Sequence, residues 1–172
     1  PVPPAALADA QLRALNHRLQ FALISAGYGV WSYDIESGKV QWDERVLRIY
    51  GPGDGRLERT EAEICGFIVD EDRERIGALF RQYALGRSGV YATSYRIRRE
   101  TDGAVRHVHE RGYLQRGEDG RPFRVIGLIR DTTTELERER ELGSLNERLQ
   151  FVVTAAGYGV WELDLATRSV TW

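Results

Sequence analysis

The apolar positions of this chain fall into helical and strand periods that can be read in order. Residues 5–22 place Ala5, Ala8, Leu12, Leu15, Leu19 and Ala22 at successive spacings of 3, 4, 3, 4 and 3. That is a helix with a single apolar seam at coiled-coil spacing. Gly27 and Gly29 interrupt it, and Val30 to Ile35 then alternates as a strand. Glu36 to Lys39 supplies turn residues, and Val40-Gln41-Trp42 reads as a second strand, so the two form a hairpin. Asp43 is placed to cap a short helix whose Val46, Leu47 and Tyr50 share one face. Gly51 to Gly55 is a loop. Asp70 is expected to cap a longer helix with Glu71 and Asp72 in its first turn, where the helix dipole favours acids. In that helix Ile76, Leu79, Phe80 and Tyr83 recur on one face, and Gly86 is expected to end it.

Three strands follow, joined by tight turns. Val90 to Arg99 leads through Asp102-Gly103 into Val105 to Arg116, and Asp119-Gly120 leads into Pro122 to Arg130. From Thr134 the chain becomes highly charged and helical, and Leu142, Leu145, Leu149 and Val152 repeat the seam of the first helix. The element order is helix, two strands, short helices, three strands, helix.

An internal repeat divides the chain. Residues 15–42 and 145–172 share 15 of 28 positions at an offset of 130, including the run Ala26 to Trp31 against Ala156 to Trp161. One complete module with the opening of a second is the expectation. The segments are 1–22 as a leading amphipathic helix, 23–133 as the module, 134–152 as an outgoing helix or linker, and 153–172 as the truncated start of the second copy. Those last residues either stay unpaired or pair with a neighbouring molecule.

Charge and composition narrow the function. With 24 basic and 26 acidic residues the net charge is −2, without the cationic excess that nucleic acid or anionic membranes require. Hydrophobic residues at 42% and charged ones at 29% are an ordinary globular mixture. No apolar run is long enough for a membrane span and no secretory pattern opens the chain, so a cytoplasmic location is expected. Cys65 is a lone cysteine and supplies neither a disulfide nor a zinc cluster.

Four motifs, in order, resemble the PAS domain, the sensory module of bacterial signalling proteins. They are Gly29-Val30-Trp31-Ser32-Tyr33-Asp34 with Trp42 behind it, Val69 to Ile76, Asp119-Gly120-Arg121-Pro122 through Gly127, and the ending Asp131-Thr132-Thr133. The resemblance covers residues 15–133 and restarts at 145. It departs at Asp70 and Glu71, at Thr132, and at His107, which stands where the family often has tryptophan. It implies an α+β fold, a five-stranded antiparallel sheet with short helices on one face, flanked by coiled-coil-like helices at both ends. It also implies a homodimer and a downstream effector in the same parent chain, a histidine kinase or a cyclic-di-GMP enzyme. Asp131, Thr132 and Thr133 would be the junction that transmits a signal, and Leu12, Leu15, Leu19, Leu142, Leu145 and Leu149 the dimer helices.

The candidate chemistry is that of binding rather than catalysis. No nucleophile elbow, phosphate loop or zinc-protease motif occurs. His107 and His109 share one strand face but lack a third ligand, and metal is not expected. Residues 70–87 hold no histidine, which disfavours the haem mode that the resemblance implies. The surroundings of Cys65 differ from the light-sensing subfamily, so a structural thiol is expected. Trp31, Tyr33, Trp42, Phe80 and Tyr95, with His107, are the candidate lining of a cavity for a small-molecule ligand, a flavin among the options; a plain aromatic core is the alternative. Three readings stand: a sensor that shifts its flanking helices, a structural dimerisation and spacing module, and a flavin-bearing redox sensor. No resident cofactor is the expectation.

Overall fold

A computed structural model describes residues 4–84, 89–157 and 161–171. The chain divides into two compact units, Pro1–Thr133 and Thr134–Trp172. Gly86, expected to end the long helix, lies outside the described residues, as do residues 158–160 and Trp172 of the second repeat and the side chain of Tyr83.

The first unit opens with α1 (Pro4–Ser25), followed by the hairpin β1 (Gly29–Asp34) and β2 (Lys39–Trp42). The Asp43 carboxylate then accepts the Val46 N–H at 2.8 Å and the Val30 N–H at 2.8 Å. One side chain thus starts α2 (Glu44–Tyr50) and ties it to β1. A short strand β3 (Glu58–Thr60) leads into α3 (Glu61–Phe67), opened by a capping box between Thr60 and Glu63. Then come α4 (Asp70–Ala84), β4 (Val90–Arg98), β5 (Val105–Arg116) and β6 (Pro122–Asp131). The sheet is antiparallel with strand order β3-β2-β1-β6-β5-β4. Its inner face packs on Val46, Ile49 and Tyr50 of α2, Ile64 of α3 and Ile76 of α4, with Ile97, Val108, Leu114, Val125 and Ile129 from the strands.

Two expectations are corrected. The sheet has six strands where five were expected. Glu58–Thr60 carries no alternating apolar pattern; its pairing with β2 is fixed by tertiary contacts, Lys39 Nζ and Gln41 Nε2 both reaching the Glu58 carboxylate at 2.6 and 2.7 Å. Asp70 is the first residue of α4 rather than its cap. The Val69 N–H donates to the Arg96 carbonyl and Ile68 bridges Ile97, so β4 pins the chain there and the helix starts at once. The acid that reaches inward is Asp72, which accepts from the Arg96 N–H and Nε at 2.9 Å each.

The helix α5 (Thr133–Ala155) begins at the last residue of the first unit, and the second unit holds the rest of it with the hairpin β7 (Glu162–Asp164) and β8 (Ser169–Thr171). Its pairing Leu163↔Val170 is that of Tyr33↔Val40 displaced by 130 residues, so the repeat reproduces the register of the first hairpin.

Candidate functional site

The interior of the first unit is lined by aromatic rings because sheet register brings them into one row. Trp42 pairs with Trp31, Trp31 with Gly127, Gly127 with Gly112, and Gly112 with Tyr91. The two central glycines leave room for the flanking rings to lie over the middle of the sheet. Phe80 of α4 meets the edges of Trp31 and Tyr91 at 6.0 and 6.4 Å, and Trp42 stacks on Tyr50 at 4.6 Å. Of the expected lining, Trp31, Trp42 and Tyr95 are buried, while Tyr33 and Phe80 are partly buried and pack against them. Among the described residues two narrow cavities lie beside these rings, each of about 20 Å³. The inner one touches Trp31, Trp42, Tyr50, Phe80, Tyr95 and Glu110; the outer one touches Tyr33, Glu61, Cys65 and Phe80.

A polar group sits in this apolar setting. Glu110 on β5 is 2% exposed. The Tyr95 hydroxyl donates to its Oε2 at 2.5 Å and the Tyr91 hydroxyl donates to Oε1. Tyr50 Oη lies 2.8 Å from Tyr95 Oη, which extends the chain to α2. Burial pushes the Glu110 carboxyl up to about 7 against the two tyrosine hydrogen bonds, and it pushes Tyr50 and Tyr95 up as well. The Trp31 indole N–H, also buried, has no acceptor among the described residues. Glu110 was missing from the expected lining, although its parity with Val108, Gly112 and Leu114 on β5 carries the signal.

His107 does not join the aromatic residues. It alternates with Val108 and Glu110, which are buried inward, so its side chain stands on the other sheet face. Its main chain has another role. The His107 N–H donates to Thr133 Oγ1 at 2.9 Å, and its carbonyl accepts the Thr132 N–H at 2.8 Å and hydroxyl at 3.2 Å. Asp131 Oδ1 in turn accepts the Thr133 N–H and hydroxyl at 2.9 and 2.6 Å. Thr133 is buried; Thr132 and Thr133 both bond the main chain of His107, and Asp131 joins them through Thr133.

The Cys65 thiol is half-buried and its pKa is raised, chiefly by burial. Leu12, Leu15 and Leu19 are exposed on α1, and Leu142, Leu145 and Leu149 are exposed on α5. Among the described residues no cluster of three or more His, Cys, Asp or Glu could hold a metal, and no helix is long and apolar enough to cross a membrane.

Comparison with known proteins agrees with this architecture. A family model described as the PAS fold matches residues 39–129. The probable diguanylate cyclase DgcE of Escherichia coli (strain K12) is 24% identical over 155 residues, 90% of this chain but only 14% of that protein. The crystal structure of a sensory box histidine kinase/response regulator from Burkholderia thailandensis E264 superposes with a TM-score of 0.60 at 28% identity, over 77% of this chain and 98% of the other. The N-terminal domain of a diguanylate cyclase with PAS/PAC sensor from Marinobacter aquaeolei gives 0.55 at 16% identity, over 63% of this chain and 97% of the other.

Proposed function

Since this chain belongs to the PAS-fold family, we propose that residues 23–133 are a sensory module whose interior state biases the outgoing helix α5. The observation that carries the reading is the grip of Thr132 and Thr133 on the main chain of His107. His107 lies three residues from Glu110 on the same strand, so a displacement of β5 at the aromatic interior is felt at the first residue of α5. The exposed leucine seams of α1 and α5 are the surfaces a second copy of this chain would cover, which gives the helices a partner whose angle or register can change. The relatives support an effector in the same parent chain, a histidine kinase or a diguanylate cyclase.

A flavin does not fit the residues present. The rings of Trp31, Trp42, Tyr50, Phe67 and Phe80 occupy the space between sheet and helices, and the cavities beside them among the described residues hold about 20 Å³ each. That volume suits about one water molecule rather than a three-ring system. The same filling favours the second reading, a dimerisation and spacing module that senses nothing.

One experiment separates the two. A spin label is placed on the full chain at Arg138→Cys, with Cys65→Ser, and the distance between labels in the dimer is measured by double electron–electron resonance. The sensory reading expects one narrow distance that broadens or shifts in Thr133→Val. An unchanged distance in that variant supports the spacer, and absence of any dimer signal removes the proposed role of the seams.

A further inference from the structure

We infer that the stimulus received by this interior is a proton, bound by the Glu110 carboxyl, so that the module senses pH. The inference rests on the sensory reading above and names its signal. The space beside Glu110 is about 20 Å³, enough for water or a proton but not for an organic ligand. A buried carboxylate ordinarily has a cation beside it. Here the groups that face Glu110 are Tyr91, Tyr95 and Thr93 of β4, Ile129 of β6, and, around the inner cavity, Trp31, Trp42, Tyr50, Ile64 and Phe80, while the exposed Arg75 of α4 donates to the Thr93 hydroxyl at 3.1 Å. Only tyrosine hydroxyls reach its oxygens among the described hydrogen bonds. Arg59, the one buried arginine among the described residues, stacks on Trp42 and is paired with Asp54 instead. Cys65, which acts on Tyr50 along with Glu110 and Tyr95, sits on α3.

The hydrogen-bond chain can run in two directions. With Glu110 ionised, Tyr91 and Tyr95 both donate to it, and Tyr50 must donate to Tyr95. When a proton from solvent binds Oε2, the new carboxylic O–H donates to Tyr95, whose own hydrogen turns to Tyr50. The Tyr50 hydroxyl then has to find another acceptor. One proton is taken up, no covalent bond to carbon changes, and the hydrogen bond between β4 and α2 reverses direction. The carboxyl is poised for this near neutrality, since burial holds it at about 7.

The test follows the carboxyl and the helix in the same protein. With 13C-labelled glutamate in the full chain, the Glu110 carboxyl resonance is followed from about pH 5 to pH 9, assigned by its loss in Glu110→Gln. The inter-label distance from Arg138→Cys is recorded over the same range. The expected result is an inflection near neutrality, well above the ordinary carboxylate range, with a change in the α5 distance at the same pH that Glu110→Gln abolishes. Should Glu110→Gln fail to fold, Tyr95→Phe provides the check: losing a donor to the ionised form must move the inflection to higher pH. A Glu110 inflection in the ordinary carboxylate range, or one near neutrality with a pH-independent helix distance, overturns the proposal. A helix that answers Thr133→Val but not pH leaves the sensory reading standing and removes the proton alone.

Discussion

The indole of Trp31 lies directly against the backbone of its cross-strand partner Gly127, so closely that a Cβ at Gly127 would sit 2.2 Å from Trp31 Cε2. Gly112, the next residue along the same row, stands in the same relation to Tyr91, where a Cβ would meet the ring at 2.1 Å. Two large rings therefore share the centre of the sheet because two glycines surrender it, and the rings reach Phe80 between them. The aromatic interior is a consequence of this pairing.

Gly127→Ala is therefore expected to destabilise the first unit by about 1–3 kcal/mol, the usual cost of overpacking a close-packed core. Neither Trp31 nor the strand backbone can yield without disturbing a buried neighbour. Urea denaturation of the variant against the parent is the measurement. A midpoint shift below the error of the method would show that the Trp31 ring can move aside.

Stability should fall as pH rises through neutrality, and Glu110 should be the cause. Its carboxyl stands at about 7 in the folded chain against 4.5 for an ordinary glutamate. Between those values the folded state holds the proton more tightly than the unfolded one, so unfolding becomes easier with rising pH. The stabilisation is fully present below about pH 4.5 and is lost as pH passes 7. The gap corresponds to roughly 3 kcal/mol at 1.36 kcal/mol per pH unit. Melting temperatures of wild type and Glu110→Gln across this range should converge at low pH and diverge at high pH. Parallel curves would refute the assignment.

Thr133→Val keeps the shape of a buried residue while removing its hydroxyl. The His107 N–H then loses its acceptor and Asp131 loses a donor. A cost of about 1–3 kcal/mol is expected for the unsatisfied group. Hydrogen exchange should show the His107 amide opening faster than its neighbours on β5. Uniform exchange along the strand would argue that water replaces the hydroxyl freely.

The second hairpin carries a local defect that the first avoids. Gly38 turns the first hairpin at φ 68°, whereas Arg168, at the equivalent position 130 residues on, holds φ 55°. A side chain in the left-handed region costs roughly 1–2 kcal/mol. Arg168→Gly should accordingly slow amide exchange across β7 and β8 several-fold. Unaltered exchange would mean that the hairpin opens without passing through this turn.

Much of this protein is encoded at short range. Asp102-Gly103 and Asp119-Gly120 mark the turns of the β4–β5–β6 meander, Asp43 starts α2, and the alternation of Val105–Arg116 defines the faces of β5. That same alternation already places His107 opposite Val108, and it places Glu110 inward beside Leu114; both follow from the period of two and nothing else. The repeat likewise prescribes the register of β7 and β8. Other features have no local code. Glu58–Thr60 becomes a strand only because Lys39, Gln41 and Trp42 are there to receive Glu58 and Arg59. Asp70 loses its expected capping role because β4 holds Val69. The joining of Thr132 and Thr133 to His107, and of Glu110 to Tyr91, Tyr95 and through it Tyr50, spans from 15 to 60 residues of chain. Local patterning states which way each side chain faces, but only the closing of β1 onto β6 and of α2 onto the sheet decides which groups meet there, because hydrogen bonds and ring contacts depend on distances that no single segment contains.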